Sequence, residues 1–489
     1  MSADPSARAP RSAEEIRAEI ETLVAEYHRV AHAPRPFEPG RTRLSYAGRV
    51  YDERELQQLV AASLDFWLTA GPCATRFERA MRGRFGSRDF ALVNSGSSAN
   101  LAMVSTLCAQ DLPRWLPKEA PAPLRPGDEV ITPAVTFPTT LAPIVQNGLV
   151  PVFVDCELGT YNVDPELLEG AIGARTRALF VPHTLGNPCD LGHLEDLARR
   201  HDLWLLEDCC DALGATWEGR PCGSFGAMAS LSFFPAHHLT MGEGGGVVVN
   251  ARGLARSLRS IRDWGRDCWC DPGCSDTCGR RFDWQQGELP RGYDHKYVYS
   301  NIGYNLKATD LQAAVGLAQL EKLDSFVRAR RRNFFRLRQA LEPLQDRLLL
   351  PRVDARAGIS PFGFAVTTHR EEDRPALVRH LEAAQIETRL LFGGDILRQP
   401  GYRAIRRRIH GSLERSEAVM RRTLFVGVYP GLDDAKIDYM AEQFHRYFAP
   451  AAAAVSREVE AASGAGRGRT TSGTSTPCPS PRGSRPVGA

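Results

Sequence analysis

The sequence predicts an α/β protein with a large domain on a largely parallel sheet and a smaller α+β C-terminal domain. Three observations carry this reading. Apolar, β-branched runs alternate with helical patterns from about residue 88 onward. A long amphipathic stretch, residues 309–342, separates that region from a second set of elements. The 489 residues, 43% apolar and 24% charged, suffice for two or three domains around a sizeable core.

The elements follow in order. Residues 13–31 carry apolar side chains at helical spacing, and 54–71 read as a second helix. Then come "DFALVN" (89–94), a turn of small residues and the helix "SANLAMVSTLCAQ" (98–110). The runs "DEVITPAV", "LVPVFVD", "RALFVPH", "LWLLED" and "GGGVVVN" are the further expected strands. This divides the chain into a helical lead-in (1–54), a large domain (55–330) and a small domain (331–450). The Gly/Ser/Thr/Pro-rich segment 451–489 cannot build a core and is expected to be disordered.

A formal charge of +3 gives no electrostatic footprint for nucleic acid. No run reaches the length of a membrane span and the start lacks a signal-peptide core, so a cytoplasmic protein is expected. Only five of the 61 basic residues are lysines, at 118, 296, 307, 322 and 436. Of the 12 cysteines, four lie in "CWCDPGCSDTC" (268–278) and two are adjacent in "EDCCDALGA". In a reducing compartment such clusters point to metal or redox chemistry.

Three segments could together hold a phosphorylated ring cofactor. "NSGSSAN" (94–100) joins a strand to a helix, where small residues let backbone N–H groups reach an anion. Taken singly, it reads more readily as an ordinary strand–helix turn. "EDCCDALGA" puts Glu207 and Asp208 at the end of an apolar strand, where a carboxylate can keep a pyridine nitrogen protonated or merely cap a turn. Phe137 in "TPAVTFPTT" can stack on a ring or pack in the core. The third segment, "SLSFFPAHHLTMGEGGGVVVN" (230–250), sets Ser232 five residues before His237.

In order and spacing these segments resemble the sugar aminotransferases of the DegT/DnrJ/EryC1 family, from about residue 55 to 449. The resemblance implies fold type I of the pyridoxal phosphate enzymes. It implies that Gly96, Ser97 and Ser232 hold the phosphate, that Asp208 pairs with the pyridine nitrogen, and that Phe137 contacts the cofactor. Asn305 in "NIGYNLK" would reach the phosphate of a neighbouring subunit, which makes a homodimer. The family's cofactor-capturing lysine aligns with His237, and no other lysine lies between 118 and 296. Imidazole makes no stable covalent link to the cofactor aldehyde. The cofactor would then be bound non-covalently and work as pyridoxamine phosphate, with His237 as the base. The part played by His238 stays open, and Arg389 in "ETRLLFGGDILRQP" is a candidate contact for the substrate.

By spacing alone, four thiols in one loop suit an iron–sulfur cluster or zinc equally well. "PHTLGNP", "EDCCDALG" and "DWGRDCWCDPGCSDTCG" narrow the resemblance to the CDP-6-deoxy-L-threo-D-glycero-4-hexulose-3-dehydrases of 3,6-dideoxyhexose biosynthesis. That group holds a [2Fe–2S] cluster on C-x57-C-x-C-x7-C, a pattern that Cys210, Cys268, Cys270 and Cys278 fit. Cys209 and Cys274 are then spectators, although Cys274 matches Cys278 by local spacing. The resemblance implies removal of the C3 hydroxyl of a nucleotide-linked 4-keto-6-deoxyhexose, CDP-linked, for lipopolysaccharide O-antigen. It implies an NADH-dependent flavin/iron–sulfur reductase as partner. A TDP-sugar 3-dehydrase of secondary metabolism, a cluster-free dehydrase of the same fold and a catalytically dead relative with structural zinc are the alternatives. No nicotinamide or flavin fingerprint is evident, since "GEGGGVVVN" precedes a strand where a dinucleotide motif follows one.

Overall fold

Seven apolar strands give the molecule its frame: β1 (Asp89–Val93), β2 (Glu129–Pro133), β3 (Val150–Val154), β4 (Thr176–Pro182), β5 (Trp204–Asp208), β6 (Met228–Ser232) and β7 (Gly245–Val249). Later in the chain come β8 (Leu348–Leu349), β9 (Gly363–Thr368), β10 (Thr388–Arg389), β11 (Arg408–Ile409) and β12 (Thr423–Gly427). The computed structural model describes residues 11–270 and 274–449; the tail expected to be disordered, 451–489, lies outside them.

The larger sheet has eight strands in the order β1-β7-β6-β5-β4-β2-β3-β11. It is parallel except at β7, which runs antiparallel to both β1 and β6. The expectation of a largely parallel sheet therefore holds, with one reversed strand. Its last strand comes from residues 408–409, in the segment expected to belong to the small domain. A second sheet, β8-β9-β12-β10, is antiparallel throughout.

Each inner strand is buried on both faces, which explains its near-continuous apolar sequence. In β4 and β5, Leu179, Val181 and Leu205 enter one core, while Ala178, Phe180, Trp204 and Leu206 enter the core on the opposite face. The strand β6 was not among the expected runs. Its sequence "MASLS" is short and rich in small residues, and pairing with β5 and β7 decides its state.

The helix expected over 54–71 is shorter: α2 (Glu53–Asp65), which follows α1 (Ala13–Ala31), ends at Asp65. Phe66 turns into the left-handed region (φ 53°), and α3 (Pro72–Phe85) begins after Gly71 with proline in its first turn, where the missing N–H costs nothing. α4 (Gly96–Leu107) follows β1 directly. α5 (Pro138–Gln146), α6 (Leu191–Arg200) and α7 (Leu254–Arg262) flank the sheet. The long amphipathic run folds as one 32-residue helix, α8 (Asp310–Leu341), with a capping box between Thr309 and Gln312. Among the described residues, no helix is long and apolar enough to cross a membrane.

Candidate active site

The C-terminal ends of β4, β5 and β6 and the N-terminus of α4 converge on one cavity of about 290 Å³, the usual place for a ligand in an open α/β sheet. Gly96, Ser97, Phe137, Asp208, Ser232, His237, Cys210 and Arg389 all line it. Most of the residues singled out in the sequence are thus brought together.

The phosphate end is built from small residues. Ser95 caps α4, its Oγ accepting the Ser98 N–H at 3.0 Å, so the free amides of the first turn face the cavity. A Cβ on Gly96 would stand 2.6 Å from Ser232 Cβ and 2.9 Å from Cys210 Sγ, so only glycine lets these walls close. Ser97 Oγ donates to Thr139 Oγ1 at 3.1 Å, and Ser232 is buried beside it. Backbone amides at a helix N-terminus with two hydroxyls beside them make a fitting anion cradle.

The two carboxylates of β5 point to opposite faces, as alternation along a strand requires. Glu207 turns away and accepts the N–H groups of Gly223, Phe225 and Gly226 at 2.7–2.9 Å. His183 Nε2 lies 3.1 Å from the same carboxylate, and His183 Nδ1 accepts the Cys189 N–H. His183, Glu207 and Cys209 bring ligand atoms within 4.8 Å of one another, but Glu207 is already saturated by amides. The group is a structural network. Asp208 turns into the cavity and accepts Thr140 Oγ1 at 2.7 Å, Asn100 Nδ2 at 2.8 Å, the Cys210 N–H at 3.1 Å and Ser230 Oγ at 3.3 Å. These four donors fix the orientation of the carboxylate at the cavity wall. Phe137 is half exposed at the mouth, 6.1 Å from the Phe392 ring, free to cover a flat ligand. Cradle, carboxylate and aromatic cover together fit a phosphorylated pyridine.

No residue lining the cavity is a lysine. His237 occupies the wall, with Nδ1 3.4 Å from Asp211 Oδ1 and its ring 5.2 Å from Phe362. Burial and then the Arg330 guanidinium push its pKa down to about 4. Asp211 is pushed up to about 7, by burial and then by Asp208. The imidazole is therefore neutral at physiological pH, the form a base requires. His238 is buried and turned away, its Nε2 donating to the Ser360 carbonyl at 2.8 Å. Of the adjacent pair, only His237 lines the cavity.

Other expected residues lie elsewhere. Asn305 is exposed outside the cavity, its Oδ1 accepting from Lys307 Nζ at 2.8 Å. Arg389 stands at the rim, 4.2 Å over the Tyr46 ring. Cys268 and Cys270 line a different cleft with Asp111 and Arg256, past the C-terminal end of α4. Trp269 stacks there on Arg256, which also covers Trp115. Cys210 stands instead at the cradle, where its Sγ approaches Gly96. Cys209 is fully buried, and Cys274 is exposed.

Asn100, Thr140, Asp211 and Arg330 were not singled out in the sequence. Asn100 and Asp211 lie within "NSGSSAN" and "EDCCDALGA", so those motifs already marked them. Arg330 gave no signal, because "RARRRNFF" reads as a solvated helix face. It is 1% exposed and donates to the His237 carbonyl at 3.1 Å.

Residues 50–445 match the DegT/DnrJ/EryC1/StrS aminotransferase family. The chain is 49% identical to the dTDP-4-dehydro-2,6-dideoxy-D-glucose 3-dehydratase of Saccharopolyspora spinosa, over 92% of this chain and 96% of that protein. It is 45% identical to the lipopolysaccharide biosynthesis protein RfbH of Salmonella typhimurium, over 89% of this chain and 99% of that protein. Among solved structures it resembles a GDP-4-keto-6-deoxy-D-mannose-3-dehydratase of E. coli with bound hydrated PLP. The TM-score is 0.72 and the identity 28%, over 82% of this chain and 98% of that one. A histidine-to-asparagine variant of GDP-4-keto-6-deoxymannose-3-dehydratase with bound GDP-perosamine matches at the same TM-score of 0.72 and 28% identity, over 82% and 99% of the two chains.

Proposed function

Because the chain belongs to the DegT/DnrJ/EryC1/StrS aminotransferase family, we propose that it is a pyridoxamine phosphate enzyme removing the C3 hydroxyl of a nucleotide-linked 4-keto-6-deoxyhexose. The observation that carries this is His237 standing in the cofactor cavity, whose lining residues include no lysine. When bound, pyridoxamine phosphate supplies an amine for the sugar's ketone and an electron-withdrawing ring.

The chain's own residues do the rest. Gly96, Ser97, Ser232 and the N-terminus of α4 bind the phosphate. Asp208, fixed by Asn100 and Thr140, holds the proton on the ring nitrogen. Phe137 covers the ring and excludes water from one side. With pyridoxamine phosphate bound, neutral His237 would take a proton from the cofactor's 4′ carbon and return it to the sugar's C3 hydroxyl, which would leave as water. Asn305 completes the phosphate site of a second protomer. Arg389 meets the sugar nucleotide at the rim.

The cysteine loop adds a redox function. Cys268, Cys270 and Cys278 supply thiolates for a [2Fe–2S] cluster, fed by an NADH-dependent flavin/iron–sulfur reductase. Cys210, which lines the cofactor cavity, supplies the fourth thiolate, to the loop of its own chain or, in a homodimer, to that of the second protomer. A cluster-free dehydrase would have no use for this loop. The substrate reading is a CDP-linked sugar of O-antigen synthesis in the cytoplasm, supported by likeness to the Salmonella protein. A TDP-linked substrate is the second reading, favoured by the Saccharopolyspora relative.

Anaerobic protein with pyridoxamine phosphate should release water from a CDP- or TDP-4-keto-6-deoxyhexose, followed by mass spectrometry. The faster substrate identifies the nucleotide. Amino sugar as the sole product would overturn the reading.

A further inference from the structure

Arg330 of α8 stands behind the cavity wall and does not line the cavity. It is 1% exposed, and among the described residues it forms no salt bridge. Its hydrogen bonds go to main-chain carbonyls: Nη2 donates to His237 at 3.1 Å, and Nη1 to Pro361 at 3.2 Å and Phe362 at 3.4 Å. Nε is buried and unpaired.

Those carbonyls belong to two separate segments. His237 lies in the connection between β6 and β7, where its own N–H donates to the Phe234 carbonyl at 2.9 Å. Pro361 and Phe362 lead into β9, and the Phe362 N–H donates to the Leu185 carbonyl at 2.9 Å. The Phe362 ring then packs on the His237 imidazole at 5.2 Å and 43°. One guanidinium therefore holds both the backbone that carries the imidazole and the backbone that carries the ring packed against it. A charge buried without a counter-ion is costly, and an apolar side chain of like volume fills such a space at less cost. What the guanidinium adds is its rigid fork, which presents N–H groups to carbonyls on two segments at once.

We propose that Arg330 is a positioning residue for the base: by clamping the His237 carbonyl to the segment of Phe362, it sets where the imidazole stands in the cavity. This rests on the reading of His237 as the base. Because Arg330 does not line the cavity, its influence on the reaction passes through His237. A displacement of about 1 Å in a reacting group can cost roughly 10²-fold in rate. The clamp is therefore felt in turnover and not in cofactor binding, which the cradle and Asp208 provide.

The test compares wild type, Arg330→Met, Arg330→Lys and His237→Asn, and adds Arg330→Met to His237→Asn. Each chain is checked for fold by circular dichroism and for pyridoxal phosphate affinity by equilibrium dialysis. Water release from the nucleotide sugar is then followed with pyridoxamine phosphate bound. Arg330→Met should lose about 10²-fold in kcat, with substrate KM and cofactor affinity unchanged. Arg330→Lys, which keeps the charge and some donors, should recover part of that loss. Added to His237→Asn, Arg330→Met should cost nothing more, since a missing base cannot be misplaced.

Covalent capture reads the same placement without turnover. In His237→Lys, pyridoxal phosphate followed by borohydride should label residue 237. Adding Arg330→Met should slow that labelling by about tenfold or more, while dialysis finds the same amount of cofactor bound. Wild-type turnover in Arg330→Met, with unchanged labelling, overturns the inference. Additive losses in the double variant, or cofactor affinity that falls along with turnover, make Arg330 a structural brace and overturn it too. If Arg330→Met does not fold, Arg330→Lys carries the same comparisons. Near-normal turnover in His237→Asn would remove the base reading itself, and the labelling rates would still decide whether Arg330 places residue 237.

Discussion

His237 Nδ1 and Asp211 Oδ1 face each other at 3.4 Å across the wall of the cavity, a contact without a hydrogen bond: His237 Nδ1 and Asp211 Oδ2 both lack hydrogen-bond partners. With Nδ1 turned toward the carboxyl, Nε2 is the nitrogen left for the reacting centre. His237→Asn should lower dehydration by about 10²- to 10⁴-fold, the range for loss of a general base. Cofactor should still bind, because cradle and Asp208 are untouched. Single-turnover water release alongside equilibrium dialysis of the cofactor checks both halves. Near-normal turnover would assign the base to another group.

Covalent capture gives an independent check. Borohydride treatment of wild-type protein with pyridoxal phosphate should leave the cofactor dialysable. The same treatment of His237→Lys should leave a stable adduct at residue 237, found by peptide mass. An adduct in the wild type would locate an amine that the cavity lining lacks.

The subunit reading can be tested by mixing defects. Cys210→Ser and Cys268→Ser are each expected to lose the cluster as homodimers. Co-expressed with different tags, they should form heterodimers in which one site pairs an intact loop with an intact Cys210 across the interface. Visible absorbance and sulfide should return to about half the wild-type level per dimer. Colourless heterodimers would place all ligands of a site in one chain.

A stability prediction concerns the joint between β2 and β11. Burial alone would push the Glu129 carboxyl up. Arg408, at 2.8 Å, and Arg175, at 3.3 Å, outweigh this and hold it below its ordinary value. The unfolded chain then binds the proton more readily, so the contribution is present above about pH 4.3 and lost as pH falls through the lower folded value. Arg408→Ala should destabilise by about 1–3 kcal/mol near neutrality. The gap to wild type in thermal melts should narrow toward pH 3.

Much of this was legible in the chain. The strands β1 to β5 and β7 announce themselves because burial on both faces forces continuous apolar runs, and α8 because its amphipathic period is long. The cavity residues were readable because short segments bring phosphate, ring and base positions together in one order. Small residues concealed β6, whose state comes from its neighbours. Arg330 was hidden for a related reason. A buried charged or polar side chain looks, in sequence, like any solvated one, and only the fold shows which helix face or loop is covered.

The adjacency of Glu207 and Asp208 in β5 has a consequence for how the molecule is proofread. Slipping this strand by one residue would turn every side chain to the other face. Either the amide cage of Gly223, Phe225 and Gly226 meets Asp208, one methylene too short, and the cavity Cys209, or the cage meets Leu206 and the cavity Glu207, one methylene too long. A chain that has closed the cage around Glu207 has necessarily delivered Asp208 to the right place. Folding and chemical competence are thus certified by a single event, and misassembled copies should betray themselves as unstable before they can bind cofactor wrongly.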